Sequence, residues 1–363
     1  LVLIFITILT ALIISLSMDS ILNYDSVGVK FFSKIGDYSY SIYLVHYPII
    51  VLINYTEFGG TIIGYKSIEN LVLILFLTFL SSYLLFNYIE KLRFSKNSNL
   101  WILVILVAVI LAGLVSPKIN NSKYTNEQIK IFEAWNDRDV FRCGKIWKLF
   151  NYSKNICSIS ESIRDNKVLL LGDSTADAIK KSFSKEMELS KITTYFYSFN
   201  SPLSYEAASA EIILAEVLEN NINSVVVLFS SYFYRDKKNI EELKLLKKKL
   251  EENDIKIMII SPIPANNFHV PKKMYEKTKN PETVISLNNI ENHKQRNETF
   301  FKKVNKKIFN KKNIFWSYLY LCIQSCQIDQ NGKPLYFDSG HLTLTGSIRL
   351  EPLFNKIAKQ IQN

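Results

Sequence analysis

Two short motifs, far apart in the chain, hold the residues whose types and spacing could do chemistry. One is Gly172-Asp173-Ser174, directly after the apolar run 168–171, and the other is Asp338-Ser339-Gly340-His341 near the C-terminus. A serine hydroxyl is a weak nucleophile near neutral pH. It needs an imidazole to take its proton and a carboxylate to hold that imidazole in one tautomer. Ser174, His341 and Asp338 are the candidates for these three roles. Gly-Asp-Ser by itself is a common turn sequence, so the spacing has to carry the argument. A serine placed where a buried strand becomes a helix stands at the carboxyl edge of a sheet, where open α/β sheets bind ligands. Asp338 and His341 are three residues apart, just ahead of a helix-like stretch at 343–361, so one loop can present both to the same serine.

The elements that must position these groups follow from periodicity. From residue 167 onward, apolar β-rich runs at 167–171, 192–199, 224–229 and 255–260 alternate with helical patterns at 176–189, 206–220 and 240–252. That alternation predicts βαβ units and a parallel sheet. The pattern at 240–252 sets Leu243, Leu245, Leu246 and Leu250 against lysines and glutamates, one face for a sheet and one for water. About two hundred residues suffice for an independent core.

The first 116 residues differ in composition. Residues 1–17, 40–55, 71–88 and 100–115 form nearly uncharged apolar stretches, each close to the roughly 20 residues that cross a bilayer. Lys30 and Lys34 precede the second stretch, and Lys91, Arg93 and Lys96 precede the last. The positive-inside rule makes those loops cytoplasmic and everything after Pro117 extracytoplasmic. Residues 118–166 are polar and dotted with aromatics, and read as a linker region.

The four cysteines fall into two local sets, Cys143 with Cys157 and Cys322 with Cys326, all on the oxidising side. A four-cysteine zinc site is the rival reading, but Cys-x-x-Cys spacing is missing. No metal, phosphate loop or dinucleotide fingerprint stands out. The formal charge is +11, and residues 1–116 hold six Lys or Arg against six Asp or Glu, so the excess belongs to the exported part. A basic surface suits acidic glycans or lipid headgroups, and a lysine-rich nucleotide bias explains it equally well. Nucleic acid is not expected as a partner. His269 and His293 read as surface residues that could serve as fallback bases. Tyr232, Phe233 and Tyr234 read as exposed loop aromatics bordering the site, placed to stack on sugars or to pack a loop.

These residues resemble the SGNH hydrolases, whose first block is Gly-Asp-Ser and whose last is Asp-x-x-His. The likeness runs from residue 167 to the C-terminus. It is sharpest over Gly332-Lys333-Pro334-Leu335-Tyr336-Phe337-Asp338-Ser339-Gly340-His341-Leu342-Thr343-Leu344-Thr345-Gly346, which is similar to the final block of SGNH domains fused to acyltransferase family 3 membrane proteins. Those fusions move acyl groups onto bacterial surface glycans. Where the family places a glycine and an asparagine that bind the oxyanion, this chain has Phe199-Asn200-Ser201-Pro202 and Ser230-Ser231-Tyr232. Asn200, Ser230 and Tyr232 are the candidate oxyanion or substrate contacts, and the amide of Ser174 is the one donor named outright.

The membrane half resembles the same family's C-terminal spans through Ile35-Gly36-Asp37-Tyr38-Ser39-Tyr40-Ser41-Ile42-Tyr43-Leu44-Val45-His46-Tyr47-Pro48 and Tyr88-Ile89-Glu90-Lys91. The chain starts at Leu1 inside an apolar run, and reads as a fragment without the earlier spans that carry the family's membrane-embedded histidine and arginine. His46 is not placed in that role. An intramembrane histidine is a functional candidate by default, but this one is equally placed to hydrogen-bond a neighbouring helix.

The expected fold is therefore α-helical transmembrane segments at 1–116, a periplasmic linker region at 117–166, and an α/β SGNH-hydrolase-like, flavodoxin-like three-layer domain with a parallel sheet at 167–363. The resemblance implies an O-acyltransferase, acetyl being the acyl group, that modifies lipopolysaccharide O-antigen, capsule or peptidoglycan through an acyl-serine. It implies a multi-pass protein of the bacterial inner membrane with its C-terminal domain in the periplasm or on the outer face. No cofactor is expected on the soluble domain, and acetyl-CoA is the candidate acyl donor for the membrane part. The alternatives are an extracytoplasmic carbohydrate acetylesterase and a glycan-binding module with a vestigial site.

Overall fold

The structure is a computed structural model that describes residues 26–56, 58, 60–61, 68–90, 124–151, 154–199, 208–305 and 308–363. The chain divides into two compact units, Leu1–Ile119 and Asn120–Asn363.

In the first unit, helix α1 (Val27–Asn54) contains Pro48, and α2 (Ile68–Leu84) runs on into a π-helical turn at Leu85–Glu90. Polar groups join the two: Ser41 donates to Glu90 at 2.7 Å and Asn87 to the Tyr38 hydroxyl at 3.5 Å. Cross-helix bonds of this kind hold helices together where burial of apolar surface cannot. His46 turns inward on its own helix, Nδ1 donating to the Tyr43 carbonyl at 2.8 Å. Among the described residues one helix, Ile68–Glu90, is long and apolar enough to cross a membrane. It contains the expected span 71–88. The expected span 40–55 falls largely in α1, whose serines, tyrosines and histidine leave it short of that apolarity. The expected spans 1–17 and 100–115 lie outside the described residues.

The second unit begins with α3 (Asn126–Phe132), then strand β1 (Cys157–Ser158), β2 (Lys167–Gly172), α4 (Ser174–Leu189), β3 (Thr193–Ser198), α5 (Ala210–Glu219), β4 (Ser224–Leu228), α6 (Lys237–Glu252), β5 (Lys256–Ile260), α7 (Val270–Lys279), β6 (Ile314–Phe315), α8 (Leu344–Ile348) and α9 (Glu351–Gln362). The sheet order is β1-β3-β2-β4-β5-β6. Strands β2 to β6 pair in parallel, but β1 runs antiparallel to β3. The sheet is therefore mixed, not wholly parallel as the periodicity predicts. A two-residue edge strand is too short to leave a periodic signal.

Alternation along the strands explains the layers. Leu169, Leu171, Val225, Val227, Ile257 and Ile259 meet Ile213, Val217, Leu243, Leu246 and Leu250 of α5 and α6 on one face. Helices α4 and α9 pack together, Phe183 edge-on to Phe354 with centroids 5.3 Å apart. Each fully buried Leu or Phe contributes about 1.5–3 kcal/mol relative to exposure. Helix starts are capped by Asp173, Ser209, Asp236 and Thr343, whose side chains accept first-turn amides. The expected helix at 343–361 is two, α8 and α9, with Pro352 in the first turn of α9. A proline is tolerated there but not deeper in a helix.

Residues 124–151, expected as linker, are packed inside this unit. Cys143 is bonded to Cys157 on β1. Gln128 donates to Thr278 at the end of α7 at 3.1 Å. Asp137 accepts the amides of Leu344 at 2.8 Å through its carbonyl and of Thr345 at 3.1 Å through its carboxylate. The strap thus holds the helix that follows His341.

Candidate active site

Strand β2 ends at Gly172, and a Cβ there would lie 1.9 Å from the Leu228 carbonyl oxygen. Only glycine lets β2 and β4 run this close at their carboxyl ends. Asp173 then caps α4: one oxygen accepts from the Thr175 amide at 2.8 Å and the Thr175 hydroxyl at 2.6 Å, the other from the Ser230 amide at 2.8 Å. Ser174 is therefore fixed as the first residue of a 16-residue helix. Its own N–H meets no acceptor among the described residues, and lies at the positive end of the helix dipole.

The loop before α8 brings the other two groups to this serine. His341 Nε2 lies 2.7 Å from Ser174 Oγ, and its Nδ1 lies 2.6 Å from Asp338 Oδ2. The other Asp338 oxygen accepts the amides of Gly340 and His341, each at 2.8 Å. Burial works against ionisation of Asp338, but the bond from His341, its charge and those two amides outweigh it and hold the carboxyl below its ordinary value. Burial likewise opposes protonation of His341. Asp338, with Asp173 and Asp177, overcomes it and raises the imidazole. An ionised Asp338 can only accept, so Nδ1 carries the proton and Nε2 is left to accept from the serine hydroxyl.

The structure separates the remaining candidates. Asn200 lies outside the described residues. The Ser230 amide is consumed by Asp173, so it is not an open oxyanion donor. Tyr232 is 71% exposed with the Arg235 guanidinium 4.5 Å above its ring. Phe233 and Tyr234, expected as exposed, are buried at 7% and 1%, and Phe233 stacks flat on Phe229 with centroids 3.8 Å apart. Of the two fallback histidines, His293 is not a surface residue. His293 is buried against Phe301 and Tyr318, and burial, with Arg296 and Lys294 nearby, pushes it down to about 4. His269 is half-buried and caps α7, its Nδ1 accepting the Lys272 amide at 3.4 Å. The cysteines form two disulfides, Cys143–Cys157 and Cys322–Cys326.

Residues that the sequence reading left unassigned complete the surroundings. Phe337 lies nearly parallel to the His341 ring, with centroids 5.4 Å apart and an interplanar angle of 13°. Trp135 meets Phe337 edge-on at 6.1 Å. Asp177, one turn beyond Ser174, accepts the Arg142 amide at 2.9 Å and Lys180 Nζ at 2.8 Å. Nothing local marks the strap residues Trp135 and Arg142, which reach the site through contacts across long sequence separations.

A serine on a strand-to-helix turn, hydrogen-bonded to an Asp-x-x-His loop, is the arrangement that the SGNH blocks encode. A family profile described as the SGNH domain fused to AT3 domains matches residues 142–356. The chain belongs to that family. The matched part begins within the strap and takes in the whole sheet, so the SGNH domain includes the disulfide to β1. The chain is also similar to the periplasmic domain of a lipopolysaccharide acetyltransferase from Salmonella ser. Paratyphi A, at 23% identity over 55% of this chain and 84% of that one, with a TM-score of 0.42. A lipase/acylhydrolase from Enterococcus faecalis is 14% identical over 54% of this chain and 95% of that one, with a TM-score of 0.32. No curated protein matches.

Proposed function

We propose that this SGNH domain is an O-acyltransferase that places acyl groups, acetyl above all, on a bacterial cell-surface polysaccharide. The observation that carries the reading is the continuous relay from Ser174 through His341 to Asp338, at 2.7 and 2.6 Å. Membership of a family fused to AT3 domains supports an acyl donor supplied from a membrane part, with acetyl-CoA as its candidate source.

In the proposed cycle, Ser174 Oγ attacks the acyl carbonyl carbon as its proton passes to His341 Nε2. The Ser174 amide at the N-terminus of α4 faces the developing oxyanion. Collapse of the tetrahedral intermediate breaks the bond to the leaving group, which takes the proton from His341, and an acyl-serine remains. A sugar hydroxyl then gives its proton to Nε2 and attacks the ester, and the proton returns to Ser174 as the O-acyl glycan leaves. Asp338 stays ionised throughout and stabilises the imidazolium.

One observation favours a second reading. The His341 and Asp338 side chains are 28% and 29% exposed, so water can reach the relay, and a carbohydrate acetylesterase needs nothing more. The test is to incubate the full chain in detergent with a chromogenic acetyl ester, with and without surface polysaccharide, and to follow both released acetate and O-acetyl sugar. Acetyl sugar that depends on Ser174 and His341 supports transfer. Acetate alone, undiminished by acceptor, supports the esterase. No turnover in the wild-type chain overturns both.

A further inference from the structure

Trp135, Arg138 and Phe337 form a cluster that leads from solvent to the imidazole of His341. The Arg138 guanidinium carbon lies 3.5 Å from the Trp135 ring centroid and 4.9 Å from that of Phe337. Phe337 in turn lies flat against His341. Trp135 is nonetheless 59% exposed, a large amphipathic aromatic held open beside the relay. Arg138 Nε donates to the Trp135 carbonyl at 2.5 Å, which fixes the plane of the guanidinium. Its two terminal nitrogens meet no acceptor among the described residues.

Asp338 is close enough to counter the depression of the Arg138 pKa by burial, but its oxygens are occupied by His341 Nδ1 and by the amides of Gly340 and His341. The fork is therefore held in place without a bidentate carboxylate of its own. A planar guanidinium resting on the Trp135 ring and tied to its carbonyl has little orientational freedom left to lose, and its geometry matches a carboxylate. The Trp135 face opposite Arg138 suits a sugar ring, whose C–H face is apolar. The net charge of +11, none of it from the first 116 residues, draws polyanions to the same unit.

We propose that Trp135 and Arg138 form the acceptor subsite, Trp135 stacking on a sugar ring and Arg138 binding a carboxylate on that sugar or its neighbour, so that the site selects acidic, uronate-bearing glycans. The site rests on the acyl-transfer reading only for calling the bound glycan the acceptor.

The experiment measures binding, not turnover. The full chain carrying Ser174→Ala is titrated calorimetrically in detergent with a tri-galacturonate and with its methyl ester. The acid is expected to bind at least tenfold more tightly than the ester. Adding Arg138→Met should bring the two within threefold of each other, while Trp135→Ala, which removes both the sugar platform and the ring the guanidinium rests on, should weaken both ligands and the acid the more. Should Arg138→Met fail to fold, Arg138→Lys, which keeps the charge without the fork, should cut the preference at least threefold. Equal binding of acid and ester, or a preference that survives the arginine substitutions, overturns the proposal. Tighter binding of a phosphorylated oligosaccharide than of the uronate overturns its assignment to a carboxylate. Because Ser174→Ala abolishes the proposed chemistry and not the subsite, failure of the transfer reading leaves this result readable on its own.

Discussion

The Asp173 carboxylate accepts the backbone N–H of Ser230 at 2.8 Å, tying the carboxyl end of β2 to that of β4 while its other oxygen caps α4. One side chain therefore sets both the start of the helix that carries Ser174 and the loop beside it. Asp173→Asn keeps the shape but has one accepting oxygen, which serves either the Thr175 donors or the Ser230 N–H, and its amide nitrogen is driven against an N–H on the other side. The unmade bond should cost about 1–3 kcal/mol. Chemical denaturation checks the cost, and ester turnover should fall with it because Ser174 moves.

Raising the pKa of His341 has a defined consequence for rate. The imidazole works as a base only when neutral, so kcat/KM should rise with pH along a limb set by the raised value, above the 6.5 of an unperturbed histidine. Burial alone would lower that value, and Asp338 is the main group that overrides it. Asp338→Asn should therefore move the limb to lower pH while cutting kcat by about two to four orders of magnitude, since the Nδ1 proton is no longer fixed. A pH profile of ester hydrolysis for both forms reads the two effects separately. A limb that does not shift would separate Asp338 from His341.

The parts of this site that could be read from sequence are those encoded within a few residues. Gly172, Asp173 and Ser174 follow a strand whose apolar run is unmistakable, and Asp338 lies three residues before His341, so one loop carries both. Trp135, Asp137 and Arg138 depend instead on where the strap folds back, and no period or motif marks them. Ser230 illustrates the limit in another way. Its position after β4 was legible, but which partner takes its amide depends on the three-dimensional approach of Asp173. The antiparallel β1 was hidden for the same reason, since two residues held by a disulfide carry no pattern of their own.

His293 should make the domain acid-sensitive. Its folded pKa is depressed to about 4 by burial and by Arg296 and Lys294, against 6.5 in an unfolded chain. Between those values the unfolded state binds a proton that the folded state refuses, so stability falls as pH drops from 6.5 towards 4 and levels off below. The loss is of the order of 3 kcal/mol. Nε2 is buried with no hydrogen-bond partner among the described residues, and Phe301 and Tyr318 flank the ring. His293→Phe should thus be tolerated at pH 7 and should flatten the slope. Urea midpoints of both forms at pH 7 and pH 4.5 give the comparison, in which the carboxylates common to both forms cancel.

The strap between Trp135 and Cys143 is held to α4 by a buried cation. Lys180, 2% exposed, donates to Asp177 at 2.8 Å and to the Val140 carbonyl at 2.5 Å, and lies 3.3 Å from Asp139. The Cys143–Cys157 bond pins the end of that segment to β1, with a sequence separation of 14. Lys180→Met leaves two carboxylates facing each other without their cation, which should cost about 3–5 kcal/mol. Loss of the disulfide in a Cys143→Ser, Cys157→Ser variant should cost about 3 kcal/mol, mainly by freeing the unfolded chain. Because both act on one segment, their combined cost should be smaller than the sum of the two taken separately. The strap also carries Asp137, which caps the helix after His341, so each variant should lose ester turnover at temperatures where circular dichroism still reports a folded sheet. Turnover that tracks global unfolding alone, in both variants, would show that the strap stabilises the domain without positioning the relay.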